Sequence, residues 1–283
     1  MKKVIITILI FILSLILIEM RFDLVSLNKK YQTLKKIETS YHDLKLEYID
    51  VPVFSKYGAI EPYKNGLIYI SGDSEFFVLK KDEKSEQYVF KSLNIDKIKN
   101  NKDNFVKKNS EELGEIADDL FGTRDILIEN FSGFNNEVVV VSSLEYFKKK
   151  DCYKISLFMT EILDSNSFKL DEWKKIFSSK KCLTINLTPK QKFAAYSAGG
   201  RISKSDDKNI IFTIGDFYSD GVSGPILSQD LKNHYGKILK INVLDGTYKI
   251  FSIGHRNPQG LYIDKNGNIF STEHGPRHGD EIN

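Results

Sequence analysis

The last thirteen residues, Ser271–Asn283, read STEHGPRHGDEIN. A chain terminus ordinarily frays into polar residues without pattern. This one gathers Glu273, His274, His278, Asp280 and Glu281 around glycines and a proline. Carboxylates, imidazoles and the carbonyls of tight turns are the groups that ligate metal ions. The glycines also let the backbone turn sharply where such ligands converge. Just upstream, Gly254–Leu261 reads GHRNPQGL, which places an arginine and an asparagine on a second short segment ending in Pro.

Groups this dense in function need rigid elements to hold them. From about Val51 the chain is rich in Tyr, Phe, Ile and Val in short runs, which suits strands. One pattern recurs at Asn65 (NGLIYISGD), Asn136 (NEVVVVSS), Asn209 (NIIFTIGD) and Asn266 (NGNIFSTEHG). Each copy is a turn residue, an apolar run, then small or acidic residues. Spacing of roughly 60–70 residues is that of propeller-type repetition. A β-sandwich is the alternative for short strands. Lys80–Gly122, rich in Lys, Asp and Asn in its first half, reads as a solvated insertion between blades. Asn109 and Glu112 are placed to cap a short helix in it. The near balance of 41 basic and 38 acidic residues argues against a nucleic-acid binder.

At the other end, Lys2 and Lys3 precede Val4–Ile18, an apolar run without a charge. No small-residue cleavage site follows, so residues 1–22 read as an uncleaved signal anchor, with a cleaved signal peptide as the alternative. That predicts a single pass through the inner membrane, with the remainder facing the periplasm or cell exterior. Leu24, Leu27, Tyr31, Leu34, Tyr41 and Leu44 fall near heptad spacing and predict a juxtamembrane helix over 23–50. Export makes a disulfide feasible. Cys152 and Cys182 lie nearly equidistant from the turn Asp164–Ser167, so a hairpin would bring them face to face. A helix over DEWKKIF would instead leave two separate thiols.

The segment Ser252–Asn283 resembles the signature of the glucose/sorbosone dehydrogenases, quinoproteins that use pyrroloquinoline quinone. GHRNPQGL matches throughout, and Glu273–Asn283 departs mainly at His278, where the family has glycine. SAGGRI, FTIGD and QDLKNHYGKILKINVLDG follow in family order upstream, as does LDEWKKIF earlier, so the resemblance covers about 57–283. It implies an all-β, six-bladed β-propeller, of which about four blades fall within 51–283, behind the N-terminal membrane helix. It further implies that Arg256 and Asn257 contact the quinone, a tricarboxylate that an arginine suits. By the same resemblance the carbonyls of Gly275 and Pro276 hold calcium, with Glu273 associated. The architectural alternative is that Gly254, Gly260, Gly275 and Gly279 serve blade turns and Asp280 and Glu281 anchor loops.

Two departures bear on activity. The family's general-base histidine sits in a His-x-Gly-Gly-Arg-like block. Aligned on Gly199, Gly200 and Arg201, that position is Ser197. A serine does not titrate near neutral pH, so no catalytic residue is assigned. A family glutamine near the quinone corresponds to Leu120 in LFGTRDI. Family members also continue past the Gly-Asp-Glu block, which reads as truncation of this chain. The expectation is a membrane-anchored relative of the calcium- and quinone-dependent aldose oxidases, with a sugar ligand and doubtful turnover. The alternative is a non-catalytic propeller that binds without reacting.

Overall fold

The computed structural model describes residues 35–38, 43–46, 49, 56–81, 88–186, 192–221, 224–275 and 279–283. The expected anchor, Val4–Ile18, lies outside them. Among the described residues no helix is long and apolar enough to cross a membrane. The chain divides into two units, Met1–Pro52 and Val53–Asn283.

In the first unit, β1 (Lys35–Glu38) and β2 (Asp43–Leu46) pair antiparallel, Lys35 opposite Leu46. The helix expected over 23–50 is therefore replaced, at these residues, by a hairpin. Ile37 is β-branched and Glu38 breaks the heptad, so local preference at Lys35–Glu38 favours a strand.

The second unit is an all-β propeller arrangement of four antiparallel blades. Blade one is β3 (Gly58–Tyr63), β4 (Gly66–Ser71), β5 (Phe76–Lys81) and β6 (Tyr88–Leu93), in that order. Blade two is β7 (Thr123–Glu129), β8 (Val138–Phe147), β9 (Cys152–Asp164) and β10 (Lys169–Leu170), with β11 (Lys174–Ser178) also on β9. Blade three is β12 (Gly199–Lys204), β13 (Asn209–Ile214), β14 (Lys237–Asn242) and β15 (Tyr248–Ile253). Blade four is β16 (Pro258–Ile263), β17 (Ile269–Glu273) and β18 (Glu281–Ile282). The first strands, β3, β7, β12 and β16, pack side by side from blade to blade. All four asparagine-led copies seen in the sequence are the second strand of a blade.

Burial on both faces explains why that strand is so apolar. In β8, Val138 and Val140 face one core with Phe105 and Phe177, while Val139 and Val141 face another with Ile68 and Phe76. Alternate side chains point to opposite faces of a strand. Each buried valine contributes on the order of 1.5–3 kcal/mol. The helices Lys102–Leu113 and Ile116–Leu120 correct the reading of their segment as a solvated insertion. Phe105 stacks on Phe121 at 4.5 Å and meets Phe193 at 4.6 Å, so the insertion plugs the core. Asn109 does not cap a helix; it lies within one and donates to the Phe105 carbonyl at 2.9 Å.

Cys152 and Cys182 form a disulfide, with their Cα atoms 5.5 Å apart. The alternative of two thiols required a helix over DEWKKIF, but Lys174–Ser178 is a strand, with Ser178 opposite Ser156. A bridge between Tyr153 and Leu183 carries the pairing up to the cysteines. Blades two and three approach closely at Gly200, whose φ is +106° and where an added Cβ would lie 2.5 Å from the Arg124 Cβ. Only glycine lets β12 approach β7 this closely.

Candidate functional site

The site is built from the link between β15 and β16, the end of β17, and the turn before β12. Gly254 turns at φ +90° and delivers His255, Arg256 and Asn257 to the start of β16. His255 is buried: its Nδ1 lies 3.0 Å from Glu273 Oε1 and its Nε2 lies 2.8 Å from Ser252 Oγ. Glu273, the last residue of β17, also accepts from Asn283 Nδ2 at 2.7 Å and from the Arg256 amide at 2.8 Å. Burial acts to raise its carboxyl, but the bonds from His255 and the Arg256 amide outweigh it and hold the group below the usual carboxylate range.

Asn257 joins this cluster to the segment where a histidine was sought. Its Oδ1 accepts from the Gly199 amide at 3.2 Å, and its Nδ2 donates to the Tyr196 carbonyl at 3.4 Å. Ser197 ends the 3-10 turn Ala195–Ser197 and is 1% exposed. Its carbonyl accepts from the Phe217 amide, and a Cβ on Gly215 would lie 2.0 Å from it. Position 197 is therefore packed into the strand ends. Leu120 is buried at the end of its helix. Its carbonyl accepts from Arg124 Nη2, which also donates to the Ala195 carbonyl at 3.1 Å.

The Arg256 guanidinium lies 5.1 Å over the Tyr218 ring. Its Nη1 donates to the carbonyls of His274 (3.1 Å) and Gly275 (2.9 Å). Its Nε is buried and has no hydrogen-bond partner among the described residues. Beside it, the Asp216 amide donates to the Arg256 carbonyl at 2.8 Å, and Asp216 Oδ1 accepts from the Tyr218 amide at 2.8 Å. Burial is the main force pushing the Asp216 carboxyl up to about 7; the Tyr218 amide and Arg256 oppose it, and Asp220 and Glu273 reinforce it. Phe217 and Tyr218 both adopt left-handed backbone, at φ +53° and +59°. Strain of this kind in non-glycine residues persists only where the surroundings impose it.

Sequence reasoning singled out Arg256, Asn257, Glu273 and Gly275, and the structure brings all four together, with Asn257 reaching Tyr196 and Gly199 on either side of Ser197. Pro276 lies outside the described residues. Asp216 and Arg124 were missed as individual residues. FTIGD was noted for its family order and as the end of a repeat copy, and the signal for Arg124 was a basic residue just ahead of the apolar run Ile126–Ile128.

The donor set suits an anionic aromatic ligand. A desolvated guanidinium N–H without an acceptor and a neighbouring aromatic ring are the groups such a ligand needs. The same residues do not suit calcium as placed. The Gly275 carbonyl already receives the guanidinium, and both Glu273 oxygens are engaged. Among the described residues no group of three His, Cys, Asp or Glu could hold a metal ion. Millimolar calcium is accordingly expected to leave the melting temperature of the full chain unchanged. A calcium-dependent rise abolished by Glu273→Ala would overturn this.

The model of the glucose/sorbosone dehydrogenase family matches residues 121–283, more than half of the chain. The chain belongs to that family. The match covers blades two to four and the site just described. Among curated relatives, quinoprotein glucose dehydrogenase B of Acinetobacter calcoaceticus is 32% identical over 110 residues, 30% of this chain and 23% of that protein. An uncharacterized protein of Synechocystis is 32% identical over 135 residues, 41% of this chain and 30% of that protein. The chain thus spans less than a third of the length of the curated relatives it matches. Among solved structures, the Dos1 propeller aligns with 78% of this chain and 43% of its own at 10% identity, with a TM-score of 0.35.

Proposed function

We propose that this glucose/sorbosone dehydrogenase relative is anchored by residues 4–18 facing the periplasm or cell exterior, and binds pyrroloquinoline quinone at Arg256 without oxidising aldoses. The observation that carries the reading is the buried Nε of Arg256, which has no partner among the described residues, beside the Tyr218 ring. A quinone carboxylate would complete the guanidinium, and Asn257 would hold the adjoining backbone. When bound, the quinone supplies a two-electron acceptor for a sugar. Ser197 supplies no base for the sugar proton, and its burial keeps it from substrate. The anchor is supported by the uncharged run behind Lys2 and Lys3 and agrees with the disulfide.

The test is an absorbance titration of the full chain in detergent with the quinone, followed by dye reduction with glucose. Saturable binding is expected, weakened about 30- to 100-fold in Arg256→Ala, the scale of a lost charge-assisted pair. Dye reduction should stay at background. Binding unchanged by Arg256→Ala would sink the site assignment.

A second reading keeps the oxidation and gives the proton to Asp216. It is favoured by a carboxyl raised to about 7 next to Arg256, the range in which a general base works best. Sugar-dependent dye reduction that is lost in Asp216→Asn would establish it and retire the non-catalytic reading.

A further inference from the structure

A cleft of about 400 Å³ lies between blade one and blade two, at the loop after β6 and the turn into β10. Its floor is apolar: Ile95, Phe168 and the ring of Trp173, the only tryptophan in the chain. The indole is fixed by blade one and the loop that follows it. It stacks on Phe76 at 5.8 Å, and its Nε1 donates to the Asp96 carbonyl at 2.9 Å. With that donor spent, the ring offers the cleft only apolar surface. The rim carries Asn94, Asp96, Lys169 and Asp171, all exposed. Among the described residues, none of these four side chains makes a hydrogen bond or ion pair.

We propose that this cleft binds a neutral saccharide, stacked on Trp173 and hydrogen-bonded through its hydroxyls to the rim. The volume lies within the usual range for small-ligand sites. The chemistry selects among ligand classes. An anion would meet Asp96 and Asp171, and a cation would meet Lys169. A purely apolar ligand would leave the rim groups with nothing to bind. A sugar ring presents apolar C–H faces and a belt of hydroxyls, each both donor and acceptor. That belt matches a rim holding acceptors (Asp96, Asp171), a donor (Lys169) and a group that is both (Asn94). The floor residues belong to the core of blades one and two, so the platform is pre-formed. The proposal is independent of the reading of Arg256, because the two sites share no residue.

The experiment is intrinsic fluorescence of the full chain in detergent, in which Trp173 is the sole tryptophan reporter. Maltose and cellobiose are the neutral probes, choline the cationic one and glucose 6-phosphate the anionic one. A saturable change in emission is expected with a neutral disaccharide, retained in Arg256→Ala. Asp96→Ala and Asp171→Ala, both at exposed positions, should each weaken binding about tenfold or more, the scale of one lost bond to a charged group. No emission change with either disaccharide would overturn the proposal. So would sugar heat in calorimetry without an emission change, tighter binding of choline or glucose 6-phosphate, or unaltered affinity in both aspartate variants.

Discussion

Replacing Asp216 by asparagine is expected to stabilise the chain at pH 8 by up to about 4 kcal/mol, the worth of raising a carboxyl from its ordinary value to about 7. The folded carboxyl binds its proton more tightly than the unfolded one. Its contribution to stability is therefore fully present below about pH 4 and is lost as pH rises towards 7, after which it stays lost. Glu61, also raised to about 7, chiefly by burial, acts in the same window and leaves a residual slope in the variant. Urea unfolding at pH 5 and pH 8 measures both effects. The variant should gain at pH 8 and show a shallower pH dependence. A variant less stable than the parent at pH 8 would mean that the ionised carboxylate makes a favourable contact with Arg256 that outweighs its burial.

Opening the Cys152–Cys182 disulfide is expected to destabilise the second unit by about 3–4 kcal/mol. The bond closes a 30-residue span, and in the chain-entropy account a loop of that length restricts the unfolded state by this amount. The Cys152→Ser/Cys182→Ser variant should show the loss in urea unfolding, and reductant should then have no further effect on it. A loss below about 1 kcal/mol would show that the pairing of β9 with β11 already confines the span in the unfolded chain.

The propeller was legible because one strand in each blade is constrained more than the rest. β4, β8 and β13 are largely buried on both faces, so their apolar runs recur visibly, and β17 takes the same place in blade four with a shorter, partly exposed run. Outer strands face solvent: every residue of β6 is exposed or half-buried, and the strand has no recurring text. The hairpin at 35–38 and 43–46 was hidden by leucines and tyrosines that happened to fall at heptad spacing. The helices at 102–120 were read as solvated because their charged face dominates the composition, while Phe105, Leu113 and Leu120 carry the packing. In the site, residues set in glycine-rich turns announced themselves. Asp216 did not, because its character comes from burial that composition does not record, set against the opposing charge of Arg256, forty residues away in sequence.

Arg124 has a further meaning for how the blades find their neighbours. Its guanidinium is buried where β7 meets β12. It bonds to carbonyls from the Leu120 and Ala195 segments and lies 3.7 Å over the Tyr57 ring, while its Nε has no partner among the described residues. A hydrophobic side chain there would adhere to almost any apolar strand. A charge that must leave water accepts only a neighbour offering carbonyls in the right places, and any other juxtaposition strands it. The seam between blades two and three is thus an address label: it gives up some adhesion so that the two sheets dock in one order and one register.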